Sequence, residues 1–382
     1  MTNYKTPYYI VYEDKLRKNL DLITYVMQQS GAKIIMAFKA NALWRTFGVF
    51  REYGICSTAS SLNEMRLANE ELHCRAHTYC PVYTDDTIHQ FIAGSSHITF
   101  NSVELFRRYR AYIEEHNHLH SDLHVSCGLR VNPMCSVVDT DIYNPCAPGS
   151  RFGVTREQLG DSWPEGIDGM HFHALCESTS YDLEKVLTAI EDQFGEFLPQ
   201  LRWINMGGGH LMTREGYDVE HLITLLRRFR ERHPNLEVIL EPGSAFCWRT
   251  GDLEASVVDV VTNSGINTAI VDVSFACHMP DCLEMPYKPA ITQSLPEVDA
   301  TKPTYRIGGN SCLSGDVVGD WSFESPLQAG DRLTFEDMNH YTTVKTHMFN
   351  GIQHPALLYQ HSDGTVEVLR EFSYLDYKNR MS

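Results

Sequence analysis

Apolar strand-like segments alternate with amphipathic helical segments from Glu13 to about Thr250, and this alternation constrains the fold more than any other feature. The segments predicted to be strands are Ile34–Ala37, His97–Phe100, Gly128–Val131, Gly169–His173, Trp203–Met206 and Val238–Leu240. The segments predicted to be helices include Glu13–Ser30, Ser61–Glu70, Val103–Glu115, Ser180–Phe194 and Val219–Arg232. This alternation predicts parallel strands joined by right-handed crossovers, in a (β/α)8 barrel or a doubly wound sheet.

After Gly251 the pattern changes to β-rich segments separated by turns, which is typical of an antiparallel β domain. These segments are Leu253–Val261, Thr268–Val273, Thr304–Gly308, Arg332–Phe335 and Thr365–Val368. The aromatic and β-branched segment Tyr8–Tyr12 is a further strand that could join them. We therefore predict an α/β chain of two domains. Residues 13–250 form a barrel, and residues 1–12 with 251–382 form a β-rich domain that completes the active site.

Composition excludes several classes of function. The chain has 382 residues, of which 43% are hydrophobic, enough for one large core and a smaller second domain. A formal net charge of -17 argues against nucleic-acid binding. The 11 cysteines have neither disulfide-framework nor zinc-ribbon spacing, so we expect reduced thiols, no metal site and a cytoplasmic location. We expect no signal peptide and no membrane span, because the required apolar stretches are missing.

Lys39 is the first candidate catalytic residue. It follows the apolar segment Ile34–Phe38, and a strand that is apolar on both faces is typical of an inner parallel strand. The C-terminal ends of such strands carry the active sites of barrel enzymes, where a desolvated lysine becomes a Schiff-base nucleophile. The alternative is a lysine whose side chain only extends to water.

Further polar motifs follow other predicted strands. They are His171–Glu177, Asn205–His210 and Glu241–Ser244, and Arg130 lies near the end of another strand. Consecutive glycines in the second motif allow backbone amides to approach a phosphate, although three glycines alone also occur in flexible turns. A lysine, a phosphate-binding loop, a stacking histidine and a carboxylate are together the groups that pyridoxal phosphate requires.

In these motifs the chain resembles the fold-type III pyridoxal-phosphate-dependent decarboxylases, which have an alanine-racemase-type barrel. Within that family the resemblance is strongest to the carboxynorspermidine (carboxyspermidine) decarboxylases, and it covers nearly the whole chain. The motifs that carry it are Ala37-Phe38-Lys39, His171-Phe172-His173-Ala174-Leu175-Cys176-Glu177, Asn205-Met206-Gly207-Gly208-Gly209-His210, Glu241-Pro242-Gly243, His278-Met279-Pro280-Asp281, Gly309-Asn310-Ser311-Cys312-Leu313-Ser314-Gly315-Asp316 and Met348-Phe349-Asn350-Gly351.

The resemblance implies which residues bind the cofactor. Lys39 would form the Schiff base with pyridoxal 5'-phosphate, and His173 would stack on the pyridine ring. Glu241 would pair with the pyridine nitrogen, and Tyr341 would add a hydroxyl group to the phosphate site. The backbone that holds the phosphate would be that of Gly207, Gly208 and Gly209.

The resemblance also implies a catalytic acid and substrate contacts. Cys312 would protonate the substrate Cα, acting in the site of the second subunit of a head-to-tail homodimer. Asp281 would form a salt bridge with a substrate ammonium, and Asp316 would face a substrate amine. Ser244 would also bind the substrate. Ornithine and diaminopimelate decarboxylases carry arginine at this position, and carboxynorspermidine decarboxylases tend to carry an acidic residue that faces the substrate amine, so Ser244 would keep a hydrogen bond but lose the charge.

The function implied is decarboxylation of carboxynorspermidine or carboxyspermidine to norspermidine or spermidine in polyamine biosynthesis. A carboxylate such as Glu241 at the ring nitrogen favours a decarboxylase over a racemase, which would place arginine there. The alternative substrates are ornithine, lysine, arginine and diaminopimelate. A non-catalytic protein that only binds the cofactor is a further alternative, which the presence of both Lys39 and Cys312 disfavours.

Overall fold

The computed structural model describes residues 4–138 and 143–382. The described residues divide into two compact units. Asn19–Phe246 belong to the first, called the barrel unit. The described residues up to Lys18 belong with Cys247–Ser382 to the second, called the sheet unit.

The barrel unit is built on one sheet of parallel strands. Its strands are Lys33–Ile34, Met36–Ala37, Ser57–Ala59, Ala76–Tyr79, Ser95–Phe100, Ser126–Arg130, Gly169–His171, Trp203–Asn205 and Glu237–Leu240. The first two are separated by Ile35 alone and pair with opposite edges of the sheet. Lys33–Ile34 pairs with Glu237–Leu240, and Met36–Ala37 pairs with Ser57–Ala59. The sheet is therefore closed, which confirms the barrel rather than the doubly wound alternative.

Helices follow most of these strands, and several begin at a side-chain cap, such as Ser61, Ser102 and Asp218. The α-helices up to the end of the barrel unit are Glu13–Ser30, Phe47–Glu52, Leu62–Leu67, Ile88–Gly94, Val103–Leu119, Arg156–Leu159, Ser180–Phe194, Val219–Arg232 and Ser244–Cys247. Shorter 3-10 and π segments are Trp44–Thr46, Ala68–Leu72, Ser121–Leu123 and Gly195–Gln200. Thr179 and Asp182 form a reciprocal capping box at the start of Ser180–Phe194.

Inside the barrel, Trp203 fills the space that two glycines leave. A Cβ atom on Gly128 or Gly169 would lie 2.3 or 2.0 Å from the indole ring of Trp203. The ring is 3% exposed, and its Nε1 donates a hydrogen bond to Ser126 Oγ at 2.9 Å. The barrel interior is therefore closely packed where these three residues lie side by side.

The sheet unit is a mixed sheet in which most pairs are antiparallel. Its strands are Tyr8–Tyr12, Gly251–Asn263, Ile266–Val271, Thr304–Gly308, Val317–Ser322, Arg332–Phe335, Ala356–Gln360 and Val366–Arg370. The predicted antiparallel β domain is thus confirmed as a sheet domain, with two parallel pairs in addition. Tyr8–Tyr12 is parallel to Ala356–Gln360, and Ile266–Val271 is parallel to Thr304–Gly308.

The remaining helices of the sheet unit are short. They are Phe275–His278, Pro280–Glu284, Thr342–Lys345, Tyr374–Met381 and the 3-10 turn Phe349–Gly351. Across residues 4–138 and 143–382, no helix has the length and apolar character needed to cross a membrane.

Candidate active site

A cavity of about 700 Å³ lies in the barrel unit at the carboxyl ends of the strands. Its lining includes Lys39, Arg130, His171, His173, Gly208 and Glu241. Because parallel strands end at the same rim of a barrel, residues far apart in sequence meet here. The structure thus brings together predicted site residues from four separate motifs.

Lys39 and His173 contact each other within this cavity. Lys39 Nζ lies 3.4 Å from His173 Nε2, and the backbone N–H of Gly208 donates to His173 Nδ1 at 3.0 Å. Because Nδ1 accepts that bond, a neutral His173 ring carries its proton on Nε2. Burial, reinforced by the nearby Lys39 and Arg130, holds the pKa of His173 well below its usual value. The Nε2–H group therefore faces the Lys39 amine.

The surroundings of Lys39 make its ammonium group easier to deprotonate than that of an ordinary lysine. The Lys39 side chain lines the cavity and is surrounded by protein on its other sides. The resulting loss of hydration lowers the pKa of Lys39. Glu241 acts in the opposite direction and Arg130 adds to the lowering, so that the pKa of Lys39 stays below its usual value. A neutral amine accepts the hydrogen bond from His173 and has the lone pair that a nucleophile needs.

The glycine loop tolerates no side chain. Gly207 and Gly209 have φ angles of +69° and +93°. A Cβ on Gly208 would lie 2.6 Å from the carbonyl oxygen of Glu241. Asn205 Oδ1 accepts the Gly207 N–H at 2.9 Å, which fixes the start of the loop. The bare backbone passes beside His173 and Glu241, as a phosphate-binding loop requires.

Glu241 is an enclosed carboxylate with a contact at each oxygen. Asn205 Nδ2 donates to Oε1 at 2.6 Å, and His171 Nε2 lies 3.5 Å from Oε2. Burial tends to raise the pKa of Glu241, but His171, Asn205 and Lys39 outweigh burial and lower it. Glu241 is therefore ionised at neutral pH, in the form that pairs with a protonated pyridine nitrogen.

Arg130 is a buried cation in the same cavity. Its guanidinium group lies between the rings of Tyr79 and Phe152, 4.7 and 4.6 Å from their centroids. It also donates to the backbone oxygen of His173 at 3.3 Å. The sequence located Arg130 near a strand end but gave it no role, and it missed the contacts of Asn205 and His171 with Glu241. The spacing of His171 and His173, two apart across a strand end, was the available signal.

These residues fit pyridoxal phosphate. An amine of lowered pKa, an imidazole plane, a glycine loop and an ionised carboxylate all meet in one cavity. Lys39, His173, the loop Gly207–Gly209 and Glu241 would hold the cofactor. Ser244 begins the short helix that follows Glu241-Pro242-Gly243 and is 8% exposed.

Cys312, Asp316 and Asp281 belong to the sheet unit. Cys312 is exposed, and its backbone N–H donates to Asn350 Oδ1 at 2.9 Å. The buried carboxylate of Asp316 accepts bonds from Ala276 N–H at 2.9 Å and from the N–H and hydroxyl groups of Ser311 at 3.1 and 2.6 Å. Asp316 thereby orders the Cys312 loop, and its contact with a substrate amine stays a prediction.

Only one carboxylate oxygen of Asp281 accepts hydrogen bonds from described residues. Its Oδ2 accepts hydrogen bonds from Tyr287 at 2.7 Å and Thr342 at 3.2 Å. Its Oδ1 is buried and has no hydrogen-bond partner among the described residues. Tyr341 precedes the helix Thr342–Lys345 with a positive φ of 54°. The roles predicted for Asp281 and Tyr341 stay predictions.

The family follows from a comparison with known proteins. Residues 24–339 match the family model described as "Pyridoxal-dependent decarboxylase, C-terminal sheet domain". The chain belongs to the pyridoxal-dependent decarboxylases. This decarboxylase is 45% identical over 382 residues to a carboxyaminopropylagmatine decarboxylase of Synechocystis, covering 100% of this chain and 96% of the relative. It is 38% identical over 386 residues to a carboxynorspermidine/carboxyspermidine decarboxylase of Campylobacter jejuni, covering 98% of each.

Solved structures agree with this assignment. The decarboxylase superposes on the carboxynorspermidine decarboxylase of Campylobacter jejuni, solved in complex with norspermidine, with a TM-score of 0.89 and 37% identity. That match covers 99% of this chain and 100% of the other. The diaminopimelate decarboxylase of Helicobacter pylori, solved in complex with L-lysine, gives a TM-score of 0.78 at 17% identity, covering 99% and 97%. This more distant likeness shows the shared fold alone.

Proposed function

We propose that this decarboxylase uses pyridoxal phosphate to remove the α-carboxylate from an amino acid with a polyamine tail, of the carboxynorspermidine or carboxyspermidine type. The observation that carries the proposal is the convergence of Lys39, His173 and Glu241 on one cavity in a chain of this family. The products would be norspermidine or spermidine.

The bound cofactor supplies an acceptor for the electron pair released when the bond between Cα and the carboxylate breaks. The side chains prepare the site for that chemistry. Lys39 presents an amine of lowered pKa, and Glu241 would hold a proton at the pyridine nitrogen. His173 orients the ring plane, and Cys312 is our candidate for returning a proton to Cα.

The substrates in the names of the relatives have one end in common. Carboxynorspermidine, carboxyspermidine and carboxyaminopropylagmatine all carry a carboxylated aminopropyl group on a secondary amine. They differ at the far end, which is an amine in the first two and a guanidino group in the third. The 45% identity to the Synechocystis relative supports carboxyaminopropylagmatine as a second candidate substrate.

A side-by-side assay of CO2 release tests the substrate class. The purified holoenzyme is supplied with carboxynorspermidine, carboxyspermidine and carboxyaminopropylagmatine, and in parallel with ornithine, lysine, arginine and diaminopimelate. We expect turnover of at least one of the first three, with kcat/KM well above that for the other four. Preference for a short amino acid would refute the polyamine-tail proposal. A yellow protein that is inert toward all seven would support a non-catalytic cofactor binder.

We further propose that the enzyme is a cytoplasmic homodimer in which Cys312 completes the active site of the partner subunit. Lys39→Ala and Cys312→Ala dimers should each be nearly inactive. When they are mixed and allowed to exchange subunits, half of the dimers should be mixed, each with one intact site of two. Activity should therefore return to about a quarter of wild type. No recovery despite demonstrated exchange would mean that Cys312 acts within its own subunit or has no role in catalysis.

Asp281 is our proposed contact for the substrate's polyamine tail. Its Oδ1 atom supports this role, because this oxygen is buried without a hydrogen-bond partner among the described residues, and buried carboxylate oxygens normally accept hydrogen bonds. Asp281→Asn keeps the size of the side chain and removes its charge. We expect a rise in KM for polyamine-tailed substrates with a smaller change in kcat. Unchanged discrimination between long and short substrates would exclude this contact.

A further inference from the structure

His171 is a buried histidine of the cavity whose task the cofactor-binding assignments leave open. It ends the strand Gly169–His171, its side chain is 3% exposed, and its Nε2 lies 3.5 Å from Glu241 Oε2. Neither ring nitrogen has a hydrogen-bond partner among the described residues. Buried polar groups in native proteins normally have partners, so the approach to Glu241 is the contact that accounts for this imidazole.

Asn205 donates a hydrogen bond to only one carboxylate oxygen of Glu241, so the contact with His171 concerns the other oxygen. Asn205 donates to Oε1, and His171 is the residue that faces Oε2. Burial and the neighbouring cations lower the pKa of His171, although Glu241 opposes the shift, so the ring is neutral at neutral pH. A neutral imidazole that carries its proton on Nε2 presents that N–H to the carboxylate, and this electrostatic contact at 3.5 Å favours the ionised form of Glu241.

Other charged or titratable groups also act on Glu241 and His171. The groups on other strands and loops that face either side chain are Lys39, His77, Tyr79, His97, Arg130, His173 and His210. Among them, Lys39 is the residue that would bond to the cofactor. His171 and Asn205 then remain as the side chains in contact with the carboxylate.

We propose that His171 is a positioning residue that holds the Glu241 carboxylate ionised and oriented, so that Glu241 can keep a proton on the pyridine nitrogen of the cofactor. This proposal rests on the proposed function, because it assigns Glu241 to the cofactor. It predicts a specific defect. Without His171 the desolvation of Glu241 is less well opposed, so its pKa rises and the carboxyl group takes up a proton as the pH falls.

Three variants separate this role from general packing. His171→Phe keeps a flat ring but removes the donor, and His171→Gln keeps a donor near the position of Nε2. His77→Phe is the matched control. His77 is 3% exposed inside the same barrel, burial holds its pKa well below the usual value so that the ring is neutral, and its side chain contacts Lys33 Nζ at 3.2 Å instead of Glu241. For each full-length variant we would measure the dissociation constant of pyridoxal phosphate and the cofactor absorbance from mildly acidic to mildly alkaline pH.

We expect His171→Phe to bind the cofactor weakly at acidic pH and to recover as the pH rises. Each unit by which the pKa of Glu241 exceeds the assay pH lowers its ionised fraction about tenfold, so the dissociation constant should rise about tenfold or more at the acidic end. His171→Gln should restore most of the wild-type profile. His77→Phe should keep that profile even where it lowers thermal stability.

Infrared difference spectra of the apoproteins provide a readout that is independent of catalysis. A protonated-carboxyl band should appear at acidic pH in His171→Phe, and it should be missing from the double variant with Glu241→Gln. A wild-type pH profile in a folded His171→Phe protein, or no such band, would overturn the proposal. Failure of wild-type protein to bind pyridoxal phosphate would instead refute the proposed function, so the two failures are distinguishable.

Discussion

Gly208→Ala provides a direct test of how the glycine loop couples cofactor binding to Glu241. The new Cβ atom would lie 2.6 Å from the carbonyl oxygen of Glu241, and ordinary contact begins at 3.4 Å. The backbone of the loop or of Glu241 must therefore retreat by about 0.8 Å. Neither segment moves easily, because Gly207 and Gly209 adopt positive φ angles and the Glu241 N–H donates to Gly207 O at 2.7 Å.

The cost of this retreat appears in both stability and function. Overpacking of a well-packed site costs about 1–3 kcal/mol of the free energy of unfolding. A displacement approaching 1 Å between groups that must act together lowers activity by about 10²-fold. We therefore expect Gly208→Ala to lose cofactor affinity and kcat, while the apoprotein stays folded with a modest loss of stability.

Gly195→Ala is the matched control for Gly208→Ala. Gly195 has a helical φ of -56°, and nothing lies within 4 Å of the position of its Cβ. The control should be neutral or more stable by about 0.4–1 kcal/mol, because alanine reduces the entropy of the unfolded chain. Urea unfolding of the apoproteins and titration with pyridoxal phosphate measure both effects. If Gly208→Ala binds the cofactor and turns over like Gly195→Ala, the steric reasoning is wrong.

Three further predictions concern the active-site lysine, the barrel interior and a helix cap. Lys39→Ala should abolish the cofactor's protein-bound absorbance band and CO2 release while circular dichroism stays unchanged, and an unaltered band would exclude Lys39 as the nucleophile. Gly169→Ala should cost about 1–3 kcal/mol in urea unfolding, because its Cβ would lie 2.0 Å from Trp203, and Trp203→Phe should recover part of that loss. Burial raises the pKa of Asp182, but its hydrogen bonds to Thr179 outweigh burial and lower that pKa below the ordinary value of 3.8. The stability that the ionised carboxylate contributes is therefore present above pH 3.8 and is lost as the pH falls through the lowered pKa. Asp182→Asn should therefore cost about 1 kcal/mol at neutral pH and progressively less in acid, and a pH-independent difference would contradict this reasoning.

The barrel could be predicted from the sequence because its helices and several of its strands have strong apolar periodicity. Ser180–Phe194 and Val219–Arg232 begin and end at the predicted residues. The strands Ser57–Ala59 and Ala76–Tyr79 were missed because they contain no apolar run. Most of their buried side chains are polar, and Thr78 Oγ1 shares a hydrogen bond with Ser95 Oγ of the neighbouring strand at 2.6 Å.

The candidate site could be predicted only from motifs whose residue types indicate a specific chemistry. Lys39, His173 and Glu241 could be predicted to meet in one cavity because each lies at a strand end in a characteristic sequence. The contacts that set their protonation could not be predicted, because they join residues that are distant in sequence. Asn205 is 36 positions from Glu241, and only the register of adjacent strands brings the two side chains together.

The barrel interior links the packing of the fold to the electrostatics of the site. Trp203 and Asn205 are two positions apart on one strand, so their side chains point to the same face. The first fills the closed barrel, and the second donates to Glu241. His171 lies beside Asn205 in the parallel register of the next strand. A change that shifts either strand therefore alters the carboxylate as well as the core. Substitutions in the barrel interior should accordingly change how the cofactor is held before they unfold the chain.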